Sequence, residues 1–274
     1  MLTKETLKYQ DTSFDLDTYF LDKIGDFTKE VKHPLAIIIP GGGFNFHTDR
    51  ESQPIAMKFA AAGIHSVVFH YQLLKDGKSV FPLALQELAT TLNWLKTQAE
   101  VHQIDSDKIL LISFSAGGSI VTNFNSFMLN ESTCSEIFDG KLEVQPYANI
   151  MGYPVVDMTL GWPKTLDDAA KMSPDKKFWK AQETVTKDAK PFFIWQTVTD
   201  QTVPVKNSLI YADKLNELGI PYELHLFSNG PHGLSLGTYQ VQEPGGDKYL
   251  NDQASKWWDL CINWLTQIKV LPVD

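Results

Sequence analysis

The chain of 274 residues is 43% hydrophobic and 21% charged, a balance that is typical of a folded globular protein and argues against an extended disordered chain. Its formal net charge is −9 and no basic stripe offsets it, which argues against binding of a nucleic-acid backbone. No apolar segment approaches the roughly 20 residues of a membrane helix, so we expect no membrane partner.

The first predicted element spans residues 14–20, where polar and apolar residues alternate as in an antiparallel edge strand. Uninterrupted apolar runs then recur with stretches of helical character between them. In chain order we predict a strand at 35–39, a helix at 54–62, a strand at 66–69, a helix at 82–101, a strand at 109–112, a helix beginning near Ser119, strands at 148–151 and 192–195, a helix at 205–218, a strand at 222–227 and a helix at 252–268. Runs that are apolar at consecutive positions are typical of strands covered on both faces, so the pattern predicts a parallel, doubly wound α/β sheet.

Proline and glycine mark several of these helix boundaries. Pro54 and Pro82 occupy first turns, where the missing N–H costs nothing, and Gly63 and Gly219 follow last turns. These signals support the predicted helix ends.

No repeat, low-complexity stretch or linker divides the sequence, so we predict one domain over residues 1–274. The longest departure from the alternation is 156–190, which carries Trp162 and Trp179. This segment is either a small cap over a functional site or a surface excursion with two aromatic anchors.

The most informative motif is Ser113-Phe114-Ser115-Ala116-Gly117-Gly118, which directly follows the predicted strand at 109–112. A strand that stops at Ser-x-Ser-x-Gly-Gly and continues as a helix has the layout of a nucleophile elbow, in which a strained turn lifts one serine hydroxyl above the sheet edge. Small residues are needed two positions before and after that serine, and Ser113 and Gly117 meet this demand. The candidate nucleophile is therefore Ser115, against the alternative of an ordinary strand-to-helix turn.

A serine nucleophile needs a general base and an acid that orients the base. Asp200 follows the predicted strand at 192–195, and His232 lies in a Gly-Pro-His-Gly loop after the strand at 222–227. Of the seven histidines, only His225 and His232 follow Asp200, and His225 lies within the strand pattern. We therefore predict His232 as the base and Asp200 as the acid, while a turn or N-cap aspartate remains the other interpretation of Asp200.

Three glycines, Gly41 to Gly43, come immediately after the strand at 35–39. Such a loop lets backbone N–H groups face a ligand, and we predict that the amides of Gly42, Gly43 and Ala116 bind a developing oxyanion. A phosphate cradle is the rival interpretation, but neither the Gly-Lys-Ser/Thr ending nor the Gly-x-Gly-x-x-Gly spacing is present. The neighbouring Phe44 and Phe46 are either pocket walls or core residues.

The remaining candidate residues also have purely structural interpretations. Arg50 and Glu51 are either an ion pair that braces the glycine loop or a plain surface pair. Cys134 and Cys261 are too few for a disulfide framework, and no ligand set with metal-site spacing is visible, so we predict no metal. The N-terminus has no basic stretch before an apolar run, and together these features predict a soluble cytoplasmic protein.

Taken together, the motifs resemble those of the α/β-hydrolase superfamily, and more closely those of the bacterial esterase branch with a glycine-triplet oxyanion loop. That branch includes carbohydrate acetylesterases and small carboxylesterases. The resemblance covers residue 35 to the last helix and rests on Arg50-Glu51, Tyr71-Gln72-Leu73, Ser115-Ala116-Gly117-Gly118, Gly152-Tyr153-Pro154-Val155, Asp200 with Val203-Pro204, and His232-Gly233. Two departures are Pro40, where a histidine often precedes the glycines, and Ser113, which replaces the first elbow glycine.

The resemblance implies an α/β-hydrolase fold with a mostly parallel sheet of about eight strands, no cofactor, and hydrolysis of short acyl esters, often acetyl groups on sugars. The leading hypothesis is thus a serine esterase that acts on a small-molecule ester. A peptidase or thioesterase on the same triad is the second hypothesis, since the fold does not choose the leaving group. A non-catalytic binding module is the third, and a homo-oligomer is left open.

Overall fold

A computed structural model describes residues 2–22, 31–75 and 77–272. Over these ranges the backbone forms one sheet whose eight strands are arranged in the order β1-β2-β4-β3-β5-β6-β7-β8. The strands are β1 (Leu2–Tyr9), β2 (Thr12–Tyr19), β3 (His33–Ile39), β4 (His65–His70), β5 (Ile104–Phe114), β6 (Ala148–Gly152), β7 (Phe192–Thr197) and β8 (Tyr222–Phe227). Every apolar run that was predicted to be a strand lies within one of them.

The first two strands form an antiparallel extension of an otherwise parallel sheet. β1 pairs with β2 and β2 pairs with β4, both antiparallel, whereas every pairing from β4 to β8 is parallel. The prediction of an antiparallel strand at residues 14–20 is confirmed by β2, but its placement at the edge of the sheet is wrong, because β1 lies outside β2. Most residues of β1 are exposed and its first six include two charged residues, so β1 lacks the apolar run that marks the central parallel strands.

Helices cover both faces of the sheet. They are α1 (Gln53–Ala61), α2 (Leu83–His102), α3 (Ala116–Phe127), α4 (Glu131–Ile137), α5 (Leu166–Met172), α6 (Ala181–Thr184), α7 (Lys206–Leu218) and α8 (Trp257–Gln267). The predicted helices at 54–62, 82–101, 205–218 and 252–268 correspond to α1, α2, α7 and α8. The short helices α4, α5 and α6 were not predicted, since four to seven residues are too few to show a helical period.

Two apolar cores lie on the two faces of the sheet. Alternate residues of β3 divide between them: Ile37 packs with α2 and α3 residues such as Leu88 and Ile120, and Ile38 packs with α1 and α8 residues such as Phe59 and Leu265. Because both faces of the central parallel strands are buried in an apolar core, the sequences of these strands are continuous apolar runs.

The topology brings four loops to one edge of the sheet. Parallel strands end on the same side, so the segments that follow β3, β5, β7 and β8 meet at their carboxyl ends. These segments carry the glycine loop, Ser115, Asp200 and His232. No helix in the described ranges combines the length and apolar composition needed to cross a bilayer.

Candidate active site

Ser115 occupies the turn between β5 and α3 with φ +51° and ψ −121°, a backbone conformation that residues other than glycine rarely adopt. The two glycines at 117 and 118 make this turn sterically feasible. A Cβ on Gly117 would lie 2.3 Å from the carbonyl oxygen of Ile39, and a Cβ on Gly118 would lie 2.4 Å from Cβ of Pro154. The structure therefore places Ser115 in a strained, tightly packed elbow, and its side chain lines a cavity.

The hydroxyl of Ser115 lies beside His232, which is 117 positions away in sequence. Ser115 Oγ is 2.8 Å from His232 Nε2, and His232 Nδ1 is 2.7 Å from Asp200 Oδ2. Because a carboxylate only accepts hydrogen bonds, Nδ1 carries the proton and Nε2 is left to accept from the serine hydroxyl. The three predicted side chains thus form one continuous hydrogen-bonded relay.

Backbone N–H groups hold the second carboxylate oxygen of Asp200. Its Oδ1 accepts the backbone N–H groups of Thr202 (2.8 Å) and Val203 (3.0 Å), and the residue is 4% exposed. These two bonds occur at the turn before α7, so the turn interpretation of Asp200 and its place in the relay are both correct descriptions. The backbone fixes one carboxylate oxygen while the other faces the imidazole.

The glycine loop follows β3 and bends over the elbow. Gly42 has φ +117°, and a Cβ there would lie 1.9 Å from the carbonyl oxygen of Phe46, so only glycine fits. The N–H groups of Gly42 and Gly43 have no acceptor among the described residues. Ala116 is the first residue of α3, where an amide has no partner within the helix. The three predicted oxyanion donors are therefore available backbone amides.

Hydrogen bonds from outside the loop set its shape. The hydroxyl of Tyr71 donates to the carbonyl of Pro40 (2.7 Å), the position where a histidine often precedes the glycines. Glu51 Oε2 accepts the N–H of Gly41 at 2.8 Å. The Pro40 departure thus leaves a loop that is anchored on both sides of its first peptide.

Arg50 and Glu51 form no ion pair with each other. Arg50 Nε donates to the carbonyl of Gly233 (2.7 Å), and its guanidinium lies over the ring of Tyr249. Glu51 is 1% exposed and bonds Gly41 and the Tyr153 hydroxyl. Both predicted interpretations of this pair therefore need correction: Glu51 braces the glycine loop, and Arg50 braces the loop that follows His232.

A cavity of about 620 Å³ opens in front of Ser115 and His232. Gly42 and Gly43 line it on one side, and residues of the 156–190 segment, from Trp162 to Met172, line another. The segment that was predicted to be either a cap or a surface excursion therefore contributes a wall of this cavity.

Phe44 and Phe46 have different surroundings. Phe46 lines the cavity and is 59% exposed. Phe44 is fully buried and contacts the rings of Tyr71, Phe81 and Trp162, so it belongs to the apolar core and the cavity-wall prediction fails for it. The glycine turn reverses the chain between them, with φ +63° at Phe44, and this sends neighbouring aromatic residues in different directions.

Several cavity residues were not found from sequence. They are Asn45, Thr48, Leu74, Lys164, Asp168, Lys171, Met172 and Thr202. Asn45, Thr48, Leu74 and Thr202 lie in loops that follow a strand, whereas the other four lie in the 156–190 segment, for which no motif was recognised. Tyr153 was noticed only as part of a motif, although its ring lies edge-on to His232.

Comparison with known proteins places these features in a family. The BD-FAE family model matches residues 21–215 of the chain. The carboxylesterase Cest-2923 from Lactobacillus plantarum WCFS1 is 41% identical, with full coverage of both chains and a TM-score of 0.98. The acetyl ester-xyloside bifunctional hydrolase from Caldicellulosiruptor lactoaceticus is 25% identical, with coverage of 95% and 90% of the two chains and a TM-score of 0.75.

One curated relative is much longer than this chain. Endo-1,4-beta-xylanase B from Butyrivibrio fibrisolvens is 29% identical over an alignment of 222 positions, and the match covers 76% of this chain and 34% of the xylanase. The chain thus corresponds to about a third of that protein. From the fold, the elbow and the family match, the chain belongs to the BD-FAE family, within the carboxylesterase branch of the α/β hydrolases.

Proposed function

We propose that the protein is a serine esterase that hydrolyses short-chain esters, chiefly acetyl esters, of sugars or other small alcohols. The observation that carries this proposal is the relay from Asp200 through His232 to Ser115, with links of 2.7 and 2.8 Å. Such a relay activates a serine for attack on a carbonyl carbon.

In the proposed reaction, Ser115 Oγ attacks the ester carbonyl while His232 Nε2 takes the hydroxyl proton. Asp200 holds the imidazole in the required tautomer and stabilises its positive charge. The N–H groups of Gly42, Gly43 and Ala116 donate to the oxyanion of the tetrahedral intermediate. His232 then protonates the leaving alcohol, which leaves Ser115 acylated.

Water completes the cycle by the same route in reverse. His232 takes a proton from water, the resulting hydroxide attacks the acyl carbon, and the proton returns to Ser115 as the acid leaves. Every proton transfer uses Nε2, so no metal ion or cofactor is needed in this sequence of steps.

Two findings support a small acyl group and a sugar-like alcohol. The half-buried Trp162 and the exposed Phe46 line the cavity near the glycine loop, and aromatic faces pack well against sugar rings. Two of the relatives have names that refer to acetyl ester, xyloside or xylan chemistry.

The test measures hydrolysis of p-nitrophenyl acetate, butyrate and octanoate, acetylated xylo-oligosaccharides, an acyl thioester and a peptide amide. We expect the acetyl esters to give the highest kcat/KM. Ser115→Ala should lower turnover on the order of 10⁴-fold or more. Ser106→Ala, at the other end of the same strand, is the matched control and should retain full activity. Retained activity in Ser115→Ala would exclude this serine as the nucleophile.

A further inference from the structure

A buried carboxylate joins two parts of the proposed machinery that come from different ends of the chain. Glu51 ends the 3-10 helix Asp49–Glu51, which follows the glycine loop, and it is 1% exposed. A carboxylate buried this deeply is costly unless donors satisfy both oxygens. Each oxygen of Glu51 has one such donor, and the two donors belong to different loops.

The first donor fixes the glycine loop. The N–H of Gly41 donates to Glu51 Oε2 at 2.8 Å, and a Cβ on Gly41 would lie only 2.7 Å from Cβ of Ser115. The peptide that Glu51 holds therefore lies directly against the nucleophile. Its orientation sets the direction of the next two amides, those of Gly42 and Gly43.

The second donor reaches the loop that carries His232. The hydroxyl of Tyr153 donates to Glu51 Oε1 at 2.7 Å and accepts the N–H of Ser235 at 2.9 Å. The ring of Tyr153 lies edge-on to the imidazole of His232, with centroids 4.9 Å apart. Burial raises the pKa of Tyr153 well above its ordinary value, so its hydroxyl keeps the proton that it donates.

The backbone next to Glu51 strengthens the same connection. Arg50 Nε donates to the carbonyl of Gly233, and the hydroxyl of Ser235 donates to the carbonyl of Arg50. Residues 233 and 235 are thus both bound to residue 50, while residue 51 holds the glycine loop. Two adjacent residues connect the base loop to the oxyanion loop.

We propose that Glu51 is a positioning residue for the esterase reaction, which ties the oxyanion loop to the His232 loop through Gly41 and Tyr153. This inference rests on the proposed function. Acyl transfer needs the oxyanion donors and the base in place around the same carbonyl, and displacements of about 1 Å cost roughly 100-fold in rate. Glu51 does not touch the substrate's reacting atoms in this scheme, and it acts through the two groups that do.

Glu51→Gln tests the link with little change in side-chain volume. The glutamine carbonyl still accepts the Gly41 N–H, but its NH₂ cannot accept the Tyr153 hydroxyl proton. We expect kcat for p-nitrophenyl acetate to fall about 10- to 100-fold while KM stays within about threefold. The rate at which a fluorophosphonate labels Ser115 should fall by a similar factor, because that reaction uses the same base and the same oxyanion donors.

Glu87→Gln is the matched control, since it makes the same substitution at another buried glutamate whose side chain accepts a backbone N–H. The hydrogen bonds of Glu87 go to Gln72 and Thr91 and not to the glycine loop or the His232 loop, so its variant should match the wild type in kcat at a pH and temperature where both are folded. Thermal unfolding of each variant shows that the assays are done on folded protein.

Tyr153→Phe provides a second, independent variant, which keeps the ring against His232 and removes the hydroxyl. If one link carries both effects, the Glu51→Gln/Tyr153→Phe double variant should be no slower than the slower single variant. Should Glu51→Gln fail to fold, Tyr153→Phe decides the matter by the same kcat and labelling measurements.

The outcomes are distinct. A wild type that hydrolyses esters, a dead Ser115→Ala and a Glu51→Gln as fast as Glu87→Gln would overturn the positioning role alone. Effects of Glu51→Gln and Tyr153→Phe that multiply in the double variant would also overturn it. A wild type that neither hydrolyses esters nor is labelled at Ser115 would overturn the proposed function, and this inference with it.

Discussion

The methyl group that Gly117 lacks would lie 2.3 Å from the carbonyl oxygen of Ile39. α3 therefore leaves the elbow in direct contact with the backbone at the end of β3. A backbone oxygen cannot move aside as a flexible side chain can, so this contact requires glycine.

Gly117→Ala should lower the free energy of unfolding by about 1–3 kcal/mol, because the added methyl group forces the helix away from the strand. Esterase activity should fall as well, since Ser115 moves with the helix. Urea unfolding measures the first effect. Gly246→Ala, whose new Cβ would have its nearest neighbour at 3.5 Å, is the control and should unfold like the wild type. Equal stability of the two variants would contradict the tight crossing.

Asp200→Asn should lower kcat by about 10⁴-fold without loss of fold. Oδ1 of Asp200 accepts two backbone N–H groups, so an asparagine there turns its carbonyl toward them and its NH₂ toward His232. The imidazole then presents Nδ1 as an acceptor, its proton moves to Nε2, and Nε2 can no longer take the proton from Ser115. Steady-state kinetics with p-nitrophenyl acetate measure the loss. Asp213→Asn, an exposed change on α7, is the control, and a similar kcat in both variants would rule out this role of Asp200.

Phe46→Ala should change KM with little effect on stability, whereas Phe44→Ala should lower stability. Phe46 is 59% exposed and lines the cavity, so its loss should raise KM by roughly fivefold, which corresponds to about 1 kcal/mol of lost apolar contact, with little change in stability. Phe44 is fully buried, and its truncation should lower the free energy of unfolding by about 3–5 kcal/mol. Urea unfolding and KM for p-nitrophenyl acetate separate the two. A KM effect without a stability loss in Phe44→Ala would place that ring in the cavity wall after all.

Stability should decline with rising pH because of Glu87. Burial raises the pKa of this side chain from 4.5 to about 7, against a smaller opposite effect of the Gln72 N–H. Between these values the unfolded chain has lost a proton that the folded protein still holds, so the free energy of unfolding falls as the pH rises toward 7. Below pH 4.5 both states are protonated and the contribution is complete.

Glu87→Gln cannot ionise and should lack this dependence. The difference in Tm between Glu87→Gln and the wild type should therefore grow from pH 4.5 to pH 8, by an amount equivalent to at most about 3 kcal/mol. Thermal unfolding at a series of pH values measures the trend. A difference that is constant with pH would show that Glu87 ionises normally in the folded protein.

The central strands were predictable because their burial on both faces requires apolar residues at consecutive positions. The segment 109–112 is apolar at every position, and it lies inside a strand that is covered by helices on both faces. β1 was not predicted because its residues are mostly exposed and polar or charged, without an apolar run. Because β1 was not predicted, residues 14–20 were assigned to the edge of the sheet, and the first error therefore caused the second.

The three members of the hydrogen-bonded relay were recognisable from the order of their motifs along the chain. A serine in an elbow motif, an aspartate after a later strand and a histidine after the last strand are local patterns, and the parallel topology sends all three to one edge. The different fates of Phe44 and Phe46 were not visible, because they depend on how a glycine turn directs two side chains of the same type.

Residue types and their spacing by themselves determined the alternation of strands and helices along the chain from residue 35 onward and the identity of the three relay side chains, since each depends on a few neighbouring residues. Only the tertiary structure decided which atoms bond: that Glu51 reaches Gly41 and Tyr153, that Arg50 reaches Gly233, and that the 156–190 segment walls the cavity. The physical reason is that these contacts join segments up to 183 positions apart, and a hydrogen bond responds to tenths of an ångström that only the packed fold defines.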